Sequence, residues 1–158
     1  MGEEVELAKK LTAGFLERIG VKAEVDVVLE ESNLHIEVKG DQEGILIGRH
    51  GRTLESFQFL INRMVNKRLE TPVRIVLDIN DYRKRKTENL KKMAIRVGEK
   101  VKSEGHPLTI GPFDAHDRRL IHITLKGDPT VRTESLGEGK LKKITIIPTL
   151  IKKEEGRS

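Results

Sequence analysis

The sequence predicts an α+β protein in two parts joined by a long helix, and three observations carry that prediction. Residues 3–79 read in the order helix, strand, strand, helix, helix, strand. From Tyr82 to about Glu104 the apolar positions Leu90, Met93, Ala94, Val97 and Val101 fall on a single helical stripe. A strand, a short helix and two more strands then follow as far as Pro148. We therefore expect a first domain over residues 1–80, a second over 81–150 that includes the joining helix, and a charged tail over 151–158.

The elements of the first part follow from periodicity. Leu7, Ala8, Leu11, Phe15 and Ile19 recur at helical spacing, and Gly20 stops the helix. Val25, Val27 and Leu29 alternate with Glu24, Asp26 and Glu30 as in a half-buried strand. Glu31 to Asn33 supplies a turn, and Leu34, Ile36 and Val38 alternate in a second strand. A short apolar helix ends at Gly48, and a longer one runs from Thr53 to Leu69 on Leu54, Phe57, Ile61, Met64 and Val65. Thr71-Pro72 breaks it, and Val73, Ile75, Leu77 and Ile79 mark the third strand. Three strands with one apolar face need helices on that face only.

Between the two helices lies Gly48-Arg49-His50-Gly51-Arg52. Its glycines permit positive φ and close approach of a ligand. The helix behind them aims free N–H groups and a positive dipole end at that ligand. With Arg49, His50 and Arg52 added, a phosphate backbone is the natural guest. The spacing fails a P-loop, which needs Gly-x4-Gly-Lys-Ser/Thr, and no Gly-x-Gly-x-x-Gly triple exists for a dinucleotide site. An ordinary helix-turn-helix corner remains the bland alternative.

Composition bounds the function. There are no cysteines, hence no disulfide framework and no thiolate metal site. No signal peptide or membrane-length apolar run is visible, so a cytoplasmic, non-inserting protein is expected. The net charge of +5 divides unevenly: residues 1–80 hold 11 Lys/Arg against 14 Asp/Glu, and residues 81–158 hold 19 against 11. A basic second half suits a polyanionic partner. Neither a carboxylate pair, a nucleophile–base set nor a metal cluster is discernible, so no enzyme, cofactor or metal is expected.

Asn80-Asp81 is expected to cap the joining helix. Its first turns, Tyr82-Arg83-Lys84-Arg85-Lys86, form either a basic track beside a nucleic acid, with Tyr82 as a stacking platform, or a solvated face. In the second part, Leu108 to Ile110 is a strand, Gly111 to Phe113 a turn, and Asp114 the cap of a helix from Ala115 to His122. Arg118 and His122 are four apart and so share a helical face. Strands at Thr130 to Ser135 and Leu141 to Pro148 close the domain through a hairpin at Leu136 to Gly139.

The element order with GxxG between consecutive helices resembles the type II KH domain (α-β-β-α-α-β). That resemblance implies RNA phosphates on Gly48, Arg49, His50, Gly51 and Arg52, and bases in an apolar cleft beside Ile45, Leu46 and Ile47. Arg-x-x-x-His, set after Pro-Phe-x-x-x-Asp-Arg and before Thr-x-Ser-x-Gly, resembles the Arg-three-His domain, a small α/β fold. It implies single-stranded nucleic-acid contacts from Arg118, Arg119, His122, Arg132, Lys142 and Lys143. The two in this order, with Leu77-Asp78-x-x-x-Tyr82-Arg83 at the junction, resemble the Jag (SpoIIIJ-associated) family of bacteria. That family implies a single-stranded RNA binder, with single-stranded DNA as a second candidate ligand. Its expected role is post-transcriptional regulation in cell elongation, division or sporulation. The alternative is a protein-interaction adapter. A small KH protein or a second copy of the chain is the expected partner. Phe59, which lies off the Leu54/Phe57/Ile61 stripe, is the candidate contact, or else it packs under the joining helix.

Overall fold

A computed structural model describes residues 2–149. The expected tail over 151–158 lies outside the described residues. The chain divides into two compact units, one ending at Arg83 and the other beginning at Lys84.

The first unit runs α1 (Glu3–Arg18), β1 (Glu24–Glu30), β2 (Asn33–Lys39), α2 (Glu43–Ile47), a 3₁₀ turn (Arg49–Gly51), α3 (Arg52–Asn66) and β3 (Arg74–Ile79). The sheet order is β1-β2-β3, with β1 antiparallel and β3 parallel to β2. The parallel pair requires a crossover, and α2 and α3 provide it. Leu34, Ile36, Val38, Ile75, Leu77 and Ile79 bury one sheet face against Leu54, Phe57, Ile61 and Val65 of α3. The rings of Phe15 and Phe57 stack with centroids 5.2 Å apart, which joins α1 to α3.

Two expectations in this unit need correction. Of the expected α1 stripe, Ala8 is buried and Leu7, Leu11 and Phe15 pack against the core beside Thr12 and Leu16, but Ile19 is 48% exposed. The helix ends at Arg18, so Ile19 lies beyond the last turn that packs. Likewise α3 stops at Asn66 rather than Leu69, because the Asn66 side chain bonds both backbone groups of Val73 and turns the chain back.

The second unit takes most of α4 (Tyr82–Glu104), then β4 (Leu108–Phe113), α5 (Ala115–Leu125), β5 (Val131–Leu136) and β6 (Lys142–Pro148). Its sheet is antiparallel in the order β4-β6-β5. Leu90, Ala94 and Val101 of α4 pack with Ile121 and Leu125 of α5 and Ile144 and Ile146 of β6. Asp114 caps α5 as expected, accepting from the Asp117 amide at 2.8 Å.

Residues 111–113 form the irregular end of β4 instead of a turn, with the register shifting between Ile110 and Phe113. An edge strand tolerates Pro112 because no neighbour needs its missing N–H. The helix α5 also continues to Leu125, one turn past the expected end, because Ile121 and Leu125 both reach the core.

Candidate nucleic-acid interface

The loop between α2 and α3 takes a shape that few residues other than glycine can adopt. Gly48 has φ 69° and ψ −174°, and Gly51 has φ 77°. A Cβ on Gly48 would lie 2.2 Å from Thr53 Oγ1 and 2.9 Å from Thr53 Cβ. A Cβ on Gly51 would meet the Tyr82 ring at 3.1 Å. Tyr82 therefore packs against the second glycine of the loop and is half-buried, which accounts for its ring without a stacked base.

Arg49, His50 and Arg52 are all exposed, and His50 itself sits at φ 56°. Gly51, the N-cap of α3, has no side chain to cap the helix, and Arg52 N already donates to Arg49 O, so what this end offers an anion is chiefly the helix dipole. Three basic side chains and a dipole end thus converge on one turn. Ile45, beside this turn, is 62% exposed, whereas Leu46 and Ile47 are 3% and 6% exposed and belong to the core. Of the apolar candidates, Ile45 alone faces solvent.

A groove of this unit lies elsewhere, between α3 and the outer edge of β3, lined by Gln58, Asn62, Arg63, Asn66, Val73 and Ile75. Side chains occupy much of that strand edge. Asn66 bonds Val73 N and O at 2.8 and 2.9 Å, and Gln58 Oε1 accepts from Leu77 N at 2.9 Å. Arg83 donates to Leu77 O at 3.1 Å and to Gln58 Oε1 at 3.0 Å. Backbone groups alternate sides along a strand, so Ile75 presents its N–H and C=O on this same edge.

Asn80 does not cap α4. Its side chain bonds Gly40 N and O at 3.1 and 2.7 Å and Glu43 at 2.7 Å, with its own φ at 49°. Asp78 takes the capping position instead, its carboxylate accepting from Arg83 N at 3.4 Å. Glu37 accepts from Asp81 N, and the carboxylates of Glu37, Asp78 and Asp81 converge to within 4.8 Å. Burial, with Asp78 and Asp81 adding to it, pushes the Glu37 carboxyl above its ordinary 4.5 against the Asp81 amide. The alternation of β2 and β3 puts Glu37 and Asp78 on one sheet face, and their pairing, with Asp81 in the turn beyond β3, depends on a strand register that spacing alone does not reveal.

In the second unit Arg119 and Lys143 are exposed and Lys142 is half-buried. Arg132 pairs with Glu134 on the same strand. Arg118 Nη1 donates to Phe113 O at 2.7 Å and to Lys140 O at 3.5 Å. His122 Nδ1 lies 2.7 Å from Thr133 Oγ1. Asp117, 4% exposed, pairs with Lys86 at 2.9 Å, a contact the sequence did not signal. Within the basic run at the start of α4, Arg83 donates to Leu77 O and Lys86 pairs with Asp117, so these two charges are engaged within the fold. Asp114, His116 and Asp117 also approach one another, but the first is the α5 cap and the third holds Lys86. Phe59 is 63% exposed, with Leu60 beside it at 45%.

A family model described as the KhpA/KhpB KH domain matches residues 6–79, and one for the Arg-three-His domain matches residues 88–148. The chain is thus a protein of two nucleic-acid-binding domains, KH followed by Arg-three-His. Among its relatives is the RNA-binding protein KhpB of Clostridium symbiosum, 36% identical over 138 residues, 84% of this chain and 62% of that protein. The protein of the same name from Lactiplantibacillus plantarum is 32% identical over 77% of this chain and 38% of its own length. That of Bacillus subtilis is 25% identical over 91% and 70%. The chain thus joins a KhpA/KhpB KH domain to an Arg-three-His domain and is similar to bacterial proteins named RNA-binding protein KhpB, the Jag family. It spans 62% and 38% of the length of the first two relatives. Among the described residues no helix is long and apolar enough to cross a membrane.

Proposed function

We propose that the chain binds single-stranded RNA in the cytoplasm, with the GxxG turn holding the sugar-phosphate backbone, and that it acts by binding, not catalysis. The observation that carries this reading is the turn itself. Two positive-φ glycines, three exposed basic side chains and an uncapped helix N-terminus meet within five residues. The relatives named RNA-binding protein support RNA as the ligand. Regulation of transcripts in cell elongation, division or sporulation is the role we attach to it.

The test is affinity for single-stranded RNA, the same sequence as single-stranded DNA, and a duplex of equal length. Splayed bases suit a KH surface, and A-form duplex hides its base edges. Single-stranded RNA should bind most tightly, and its affinity should fall as salt rises. Arg49→Asp with His50→Asp places two carboxylates at a helix N-terminus, where they repel phosphate. That double variant should lose at least tenfold in affinity with little change in melting temperature, since both side chains are exposed. Equal affinity for duplex, or full affinity in the double variant, would sink the reading.

The adapter reading rests on a separate observation, the exposed Phe59 and Leu60 on α3. A small KH protein or a second copy of the chain is the partner we propose for that surface.

A further inference from the structure

The Arg118–His122 pair is expected, on the Arg-three-His resemblance, to face nucleic acid. Its hydrogen bonds point into the fold instead. Arg118 is half-buried, and one nitrogen, Nη1, reaches the carbonyl of Phe113 at the end of β4 and the carbonyl of Lys140 in the β5–β6 loop. One turn further along α5, His122 reaches the Thr133 hydroxyl on β5. Each residue of the motif thus ties α5 to a different part of the sheet.

The loop at residues 137–141 needs such a tie. Gly137 and Gly139 hold φ of 106° and 85°, and added Cβ atoms would meet nothing within 4 Å. Glycine is conformationally permissive, so two of them in open space leave the loop few internal constraints. Among the described residues, the bond from Arg118 is the hydrogen bond that reaches residues 137–141 from outside the hairpin. Lys140 and Lys143, both exposed, emerge from this end of the hairpin, while the half-buried Lys142 lies on the opposite face of β6 from Lys143. For Arg118 Nη1 to turn both of its N–H groups to a phosphate it would have to abandon the 2.7 Å bond to Phe113 O and take a donor from a partly buried carbonyl.

We propose that Arg118 is a positioning residue: it fixes the β5–β6 loop so that Lys140 and Lys143 present their charges to the nucleic-acid backbone together. The inference rests on the single-stranded RNA reading above. Arginine suits the task because Nη1 holds two N–H donors in the fixed plane of the guanidinium, one toward each carbonyl, and lysine has the charge without that plane.

The experiment is a double-mutant cycle on the full chain with a single-stranded RNA oligonucleotide, read as affinity against salt. One arm is Arg118→Ala, the other Lys140→Gln with Lys143→Gln, and the third combines them. The expected result is that Arg118→Ala weakens wild type several-fold but changes the lysine variant by less than about twofold, since it acts through those lysines. Arg118→Lys should resemble Arg118→Ala. Additive losses, or wild-type affinity in Arg118→Lys, would overturn the proposal, because both are the signature of a direct phosphate contact. Amide hydrogen exchange provides a measurement independent of RNA. In Arg118→Lys the amides of Gly139 and Leu141 should exchange faster while those of β6 hold. Unchanged exchange there also overturns it. Should wild type bind no RNA, the functional reading fails, and the exchange result alone decides whether Arg118 holds the loop.

Discussion

Gly48 shows how a single position couples loop shape to function. Its φ and ψ lie in a region open essentially to glycine alone, and the space a side chain would need is filled by Thr53. Gly48→Ala should lower stability by about 1–3 kcal/mol, visible as a lower melting temperature. Adding Thr53→Ala should not restore it, because Thr53 Cβ and N stand at 2.9 and 3.1 Å from the new methyl. An unchanged melting temperature in Gly48→Ala would mean that the loop does not hold this conformation. The glycines and basic residues of this turn were legible in the chain. The reason Gly51 must be glycine was not, since it is Tyr82, distant in sequence and packed over it.

At the scale of elements, the edge of β3 depends on side chains borrowed from α3. Asn66 closes the connection by bonding Val73 on both backbone groups and Asn62 through the same amide nitrogen. Asn66→Ala should cost about 1–2 kcal/mol, because two backbone groups are left to partial solvation. Asn66→Asp should not rescue it. A carboxylate can accept from Val73 N, but it faces Val73 O and Asn62 Oδ1 with no proton to give. Denaturant melts of both variants would check this, and a stable Asn66→Asp would place the stabilisation elsewhere. Helix and strand identities were readable from periods of 3.6 and 2. Helix ends were read less well, because Asn66 and Asp78 act across turns that spacing does not reveal.

Across the whole molecule, two carboxylates give stability opposite dependences on pH. In the second unit, Lys102 and Thr130 hold the Asp128 carboxyl down at about 2 from its ordinary 3.8. A depressed acid stabilises the fold above its unfolded value, and that contribution disappears as pH falls from 3.8 toward 2. Asp128→Asn should therefore be less stable than wild type at neutral pH and equal to it near the bottom of that window. In the first unit, Glu37 is raised above 4.5, so the folded state holds its proton longer and stability falls as pH rises through that shift. Glu37→Gln keeps the acceptor for Asp81 N and should be more stable than wild type at pH near 7, with no advantage below about 4. Circular-dichroism melts across a pH series would read both, and matching curves for variant and wild type would refute either assignment.

The order of elements, the glycine turn with its basic side chains, and the Arg-x-x-x-His helix were all determined by the sequence alone. They depend on local periodicity, φ preference and charge, which act over a few residues. Tertiary structure decided which members of those motifs face solvent. Ile45 is exposed while Ile47 is core; Lys86 is drawn onto Asp117; and Arg118 is turned onto two carbonyls. The first depends on which apolar side chain meets the core, and the other two on polar groups finding partners from another element; both are set by packing across the fold, not by spacing along the chain.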